Sequence, residues 1–161
     1  MTDEEIMRKA IELAKISGDE GEVPVGAVVT KNGEIIATGR NRRELGKNAL
    51  YNADIEAINN ACQKLGGWRL WQCELYVTLE PCPMCAGAII NSRIKRVVYG
   101  ASDLKAGSFG SVVNFNSLAY NHKPEIVGGR VEEDCAALLS KFFLKLRQKR
   151  AKNKEIDNLT K

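Results

Sequence analysis

The chain has 161 residues, 44% of them apolar, with 24 Lys or Arg against 20 Asp or Glu and a net charge of +4. That length suits one domain with a full core, and no apolar run approaches the roughly eighteen residues that a membrane span needs. The start, Met1-Thr2-Asp3-Glu4-Glu5, is acidic and unlike a signal peptide, and the five cysteines are odd in number. These features argue against a disulfide-framed secreted domain and predict a cytoplasmic protein whose thiols serve packing or metal binding.

Thr2 followed by Glu5 forms a capping-box pattern. It predicts a helix with Ile6, Met7, Ala10, Leu13 and Ala14 on the buried side, ended by Gly18 and Gly21. Val25–Thr30 and Ile35–Arg40 flank Lys31-Asn32-Gly33 and read as a strand hairpin with an Asn-Gly turn. Asn52–Leu65 has helical spacing at Ile55, Ile58, Ala61 and Cys62 and stops at Gly66-Gly67. Glu74–Leu79 reads as a strand, Pro83–Asn91 as a buried helix opened by proline, and Arg96–Tyr99 as a further strand. Residues 101–115 are rich in Gly and Ser and read as a long functional loop, followed by a short strand at Glu125–Val127. Glu132–Lys149 predicts an amphipathic helix with Cys135, Leu138, Leu139, Phe142, Phe143 and Leu146 facing inward.

The order predicts one sheet with helices on both faces, and a site where strands run into helices. From Lys141 to Lys154 there are seven Lys or Arg and no acid. Such a face attracts phosphate backbones, and it equally describes a solvated helix surface.

The sharpest chemical feature is Glu80-Pro81-Cys82-Pro83-Met84-Cys85. Two thiols three residues apart at a helix start can reach one metal ion, and the helix N-terminus favours the thiolate form. A redox pair, half of a zinc ribbon and buried inert thiols are the competing readings of the spacing alone. No second pair completes a ribbon.

The surrounding sequence narrows the choice. Trp68-Arg69-Leu70, the run from Leu75 to Ile90 and Arg96-Val97-Val98-Tyr99-Gly100-Ala101 closely resemble the bacterial tRNA adenosine deaminases. So do Gly21-Glu22-Val23-Pro24-Val25-Gly26, Gly39-Arg40-Asn41-Arg42, Asn121-His122 and Cys135-Ala136-Ala137-Leu138. The resemblance implies a three-layer α/β/α fold with a mixed five-stranded sheet, like cytidine deaminase, over residues 1–152, with 153–161 as a polar tail. It also implies a homodimer that acts on the tRNA anticodon loop and converts the wobble adenosine to inosine. In that family two Cys and one His hold Zn²⁺ and activate a water, and a Glu two residues after the His shuttles the proton.

This chain departs from the pattern at two positions. The family's His-Ala-Glu-Ile is here Asn52-Ala53-Asp54-Ile55. Cys82 and Cys85 therefore keep company with Asn52 in the third ligand position and Asp54 in the shuttle position. An amide oxygen is a far weaker zinc ligand than imidazole. Asp withdraws its carboxylate by roughly 1.5 Å, and a displacement of about 1 Å can cost a hundredfold in rate. A slow enzyme, a miswired metal site bound by Asp54 and a metal-free pseudoenzyme all follow from these changes. Without the resemblance, Asn52 reads as a helix N-cap and Asp54 as a first-turn acid. The only histidine, His122, falls elsewhere in the pattern.

By the same resemblance Asn41, Ala53, Glu80, Pro81 and Asp103 border the substrate. Lys105, Arg147, Lys149 and Arg150 are candidates for phosphate contact. Cys62, Cys73 and Cys135 read as small packing residues, and Trp68 and Trp71 as packing or dimer contacts. A free base such as guanine or cytosine is the alternative substrate, and an inactive tRNA-binding or dimerisation partner the alternative to an enzyme.

Overall fold

A computed structural model describes residues 1–160. Helix α1 (Asp3–Asp19) opens on Thr2, whose hydroxyl accepts the Glu5 N–H at 3.2 Å. Three acids in its first turn suit the positive end of the helix dipole. Gly18 lies inside this helix, which runs on to Asp19, so it is not the stop that its residue type suggested. Strands β1 (Gly26–Lys31) and β2 (Glu34–Arg40) form the expected hairpin, with φ of 52° at Asn32 and 80° at Gly33. Positive φ at both central residues matches the twist of the strands that they join.

Helix α2 (Ala53–Leu65), strand β3 (Cys73–Leu79), helix α3 (Pro83–Ser92) and strands β4 (Arg96–Ala101) and β5 (Glu125–Val127) follow. Helix α4 (Glu132–Leu159) ends the described chain. The five strands form one sheet in the order β2-β1-β3-β4-β5. β1 pairs antiparallel with both β2 and β3, while β3, β4 and β5 are parallel, so the sheet is mixed.

The strands are apolar on both faces because both faces are covered. Ala27, Val29, Leu75, Val77, Val97 and Tyr99 pack with Ala57, Ile58 and Ala61 of α2 and Ala86 and Ile89 of α3. The alternate residues Val28, Tyr76 and Val98 pack with Ile6, Met7 and Ala10 of α1 and Cys135 of α4. The period-two alternation of strands thus builds a helix layer on each side. Cys73 and Cys135 are buried as packing residues, and Cys62 is half-buried. His122 is tied to the Ile94 carbonyl at 2.7 Å.

The last helix differs from the sequence reading. It continues ten residues past Lys149, and residues 153–159, expected as a tail, are helical and exposed. Of its expected inward residues only Cys135 is fully buried, and Phe143 is 40% exposed. Beyond Leu139 the helix outruns the sheet, so its apolar positions have less to pack against. Among the described residues no helix is long and apolar enough to cross a membrane.

Candidate active site

The N-termini of α2 and α3 lie beside the end of β3, and a cleft of about 690 Å³ opens there. Asn41, Asn52, Asp54, Glu80, Pro81, Cys82, Cys85 and Asp103 all line it. Of the residues expected at the site only Ala53 does not. Its side chain is fully buried in the core against the sheet, because the first turn of α2 directs it inward.

Asn52 and Cys82 are the N-cap residues of α2 and α3, so two helix N-termini meet on the cleft floor. The Cys82 sulfur accepts the Cys85 N–H at 3.5 Å, as an N-cap side chain does. Asn52 makes no such bond to its own helix. Its Nδ2 instead lies 3.6 Å from the Cys82 sulfur and 3.4 Å from that of Cys85. The free N–H of Ala53 is capped by the Asn41 side-chain oxygen at 2.8 Å. Asn41 is therefore a cap in trans as well as a cleft residue.

Hydrogen bonds from the Cys85 thiol and from backbone N–H groups hold the Cys82 thiol well below its usual range, while the same thiol contact and burial push Cys85 up. The pair therefore shares one negative charge. Burial, and then the Cys82 charge, push Asp54 up to about 7. Asp54 is 4% exposed, and its Oδ2 is buried with no hydrogen-bond partner.

These side chains fall short of the usual donor set of a catalytic zinc centre. Such centres use three strong protein ligands and leave a fourth position open. Here two thiols converge, and the third side chain turns a neutral amide nitrogen toward both. Among the described residues no group of three His, Cys, Asp or Glu is placed to hold a metal ion. Glu56, two residues beyond Asp54, is no substitute. It accepts the Arg40 N–H at 3.1 Å, pairs with Arg42 and lies on another face of α2.

The rim is formed by two loops. Asp103 accepts the N–H groups of Lys105 and Ala106 at 3.0 and 3.2 Å, which closes its own turn. Glu80 is 2% exposed and accepts N–H groups from Asp103, Phe109 and Ser111, each at 3.1 Å. Its carboxylate therefore holds the 103–111 loop. The Pro81 carbonyl accepts the Ser108 N–H at 2.9 Å and adds to that grip. Lys105, expected only as a phosphate contact, lines the cleft, and Arg43, Ser102, Leu139 and Phe143 are further cleft residues that sequence reasoning missed. Arg43 had a signal, since it extends the basic run beside Asn41. Phe143 did not, because its helical spacing matches that of a core residue.

Comparison with known proteins follows the same lines. A family profile described as MafB19-like deaminase matches residues 1–147. The tRNA-specific adenosine deaminase of Bacillus subtilis (strain 168) is 48% identical over 152 residues, 93% of this chain and 94% of that protein. The chain belongs to the family of tRNA-specific adenosine deaminases. A solved structure from work on A-to-I editing by tRNA:A34 deaminases superposes on this family member with a TM-score of 0.82 at 41% identity. It covers 84% of this chain and 99% of that one. The guanine deaminase of Nitrosomonas europaea superposes with a TM-score of 0.77 at 26% identity, over 86% and 83% of the two chains. The three-layer fold expected from the resemblance is thus the fold of this deaminase family.

Proposed function

We propose that this chain is a cytoplasmic tRNA deaminase scaffold, built to convert the wobble adenosine to inosine, whose turnover is severely impaired by Asn52 and Asp54. The supporting observation is the meeting of two helix N-termini, carrying Cys82, Cys85, Asn52 and Asp54, on the floor of a cleft rimmed by Arg43 and Lys105. A single extruded base can enter such a cleft, and an anticodon loop offers one without opening a duplex. The reaction breaks the C6–N bond of adenine, forms a C6–O bond from water and releases ammonia.

In this family zinc supplies the activated water when bound. The donor set of this chain falls one ligand short, so no step is assigned to a metal. Asp54 is left as the one floor carboxylate with a free oxygen for a proton. Asn41 presents a cleft-lining amide whose oxygen is already committed to Ala53. The exposed basic residues of α4, Arg147, Lys149 and Arg150, extend the charge toward RNA phosphates. The half-exposed Trp68 and Trp71 support a homodimer in which partner surfaces cover them.

The missing ligand favours a second reading, in which the chain binds tRNA or a partner subunit without turnover. The first reading, and the tRNA-binding form of the second, require RNA binding. Fluorescence anisotropy with an anticodon stem-loop carrying a wobble adenosine is the test, at low and raised salt. Binding that weakens as salt rises supports a tRNA-directed cleft. No binding at low salt overturns it and turns attention to free bases such as guanine.

A further inference from the structure

We infer that Glu22 and Glu80 are a matched pair of positioning residues, each a buried carboxylate that latches one loop of the cleft to the folded core. Glu80 stands at the end of β3 and is 2% exposed. Its Oε1 accepts the Asp103 N–H and the Ser111 hydroxyl, and its Oε2 accepts the N–H groups of Phe109 and Ser111. Glu22 lies between α1 and β1 and is 1% exposed. Its Oε1 accepts the Glu44 N–H at 2.9 Å and its Oε2 the Leu45 N–H at 2.8 Å.

Neither glutamate takes part in an ion pair among the described residues. Each buried charge is met only by N–H and O–H donors of a loop, so it is stabilised only while that loop is in place. Both loops line the cleft. Residues 41–52 supply Asn41, Arg43 and Asn52, and residues 102–106 supply Asp103 and Lys105. Both segments lack helix or strand over most of their length, so a strong local anchor must offset the entropy of ordering them. Gly107 fits the latch, since a Cβ there would fall on the Glu80 carboxyl group.

The role rests on reading the cleft as an RNA site, but the latches can be tested separately from it. Glu80→Gln and Glu22→Gln keep side-chain shape and turn one acceptor oxygen into an NH₂ that faces other donors. Amide hydrogen exchange on the full chain reads each loop, and anisotropy with the wobble-adenosine stem-loop reads binding. Glu80→Gln is expected to raise exchange in 102–113 by at least about tenfold and leave 42–51 unchanged. Glu22→Gln is expected to do the reverse. Each should weaken stem-loop binding by roughly tenfold with the core amides still protected. Ser111→Ala removes one donor, and is expected to loosen the same loop as Glu80→Gln to a smaller degree. It keeps the test open where Glu80→Gln does not fold. Unchanged exchange in both loops, or equal loosening of both loops by each variant, overturns the proposal. Absence of stem-loop binding by the unaltered chain overturns the RNA reading alone, and the crossed exchange pattern still decides the latches.

Discussion

The side-chain amide of Asn52 lies 3.4 Å from the sulfur of Cys85 and leaves the helix that Asn52 caps to be capped by Asn41. An N-cap asparagine that turns away from its own helix is held by something else, and here that is the thiol pair. On the proposed reading position 52 belongs to the reactive centre, although an amide is a weaker ligand than imidazole. Asn52→His is expected to raise zinc affinity by at least about a hundredfold. Zinc content after dialysis against a chelator checks this, with the unaltered chain emerging nearly metal-free.

Asp54 is a buried carboxylate beside a thiolate, with one oxygen unpaired. Asp54→Asn removes that charge without changing shape. It is expected to stabilise the fold by about 1 kcal/mol, a few degrees in melting temperature. A thermal melt at neutral pH measures it, and a lower melting temperature would show that the carboxylate has a partner in solution.

Asp3 ties the start of α1 to β4 through Arg96, at 2.6 and 3.0 Å, with the Tyr76 hydroxyl also on its carboxylate. The Arg96 hydrogen bonds are the main reason that Asp3 is held below its usual 3.8. A lowered folded value means that the stabilisation is complete above about 4 and is lost as pH falls through the folded value. Asp3→Asn is expected to cost about 1–2 kcal/mol at pH 7. Urea unfolding from pH 7 downward should show the two proteins converging in acid.

Gly107→Ala drives a methyl group into the Glu80 carboxyl group, a side-chain end that its hydrogen bonds to Asp103, Phe109 and Ser111 hold in place. The 103–111 loop must shift, at a cost of about 2 kcal/mol. Increased proteolysis within that loop, with the core still protected, is the expected result.

Much of this arrangement was legible in the chain itself. The sheet, the hairpin turn and the helices carry strong local signals: an Asn-Gly turn, a Thr2 cap and Pro83 at the start of α3. Cys82 and Cys85 were legible as a pair, since three-residue spacing at a helix start places both sulfurs on one side. Asn52 and Asp54 were legible only through the resemblance, because alone they read as an N-cap and a first-turn acid. Ala53 does not line the cleft although Asn52 and Asp54 on either side do, because each step along a helix turns a side chain by about 100° and Ala53 falls on the core face. The exposed course of α4 and the latch roles of Glu22 and Glu80 depend on contacts far apart in sequence. Periodicity reports neither where a sheet ends nor which loop a buried acid holds.

The most direct measurement is inosine formation in an anticodon stem-loop with a wobble adenosine, with the Asn52→His/Asp54→Glu double variant run in parallel. Rapid conversion by the double variant and at least about a hundredfold slower conversion by the unaltered chain is the expected result. Equal rates would contradict the central claim, since an amide and a shortened carboxylate would then suffice. Failure of both would remove the tRNA assignment itself.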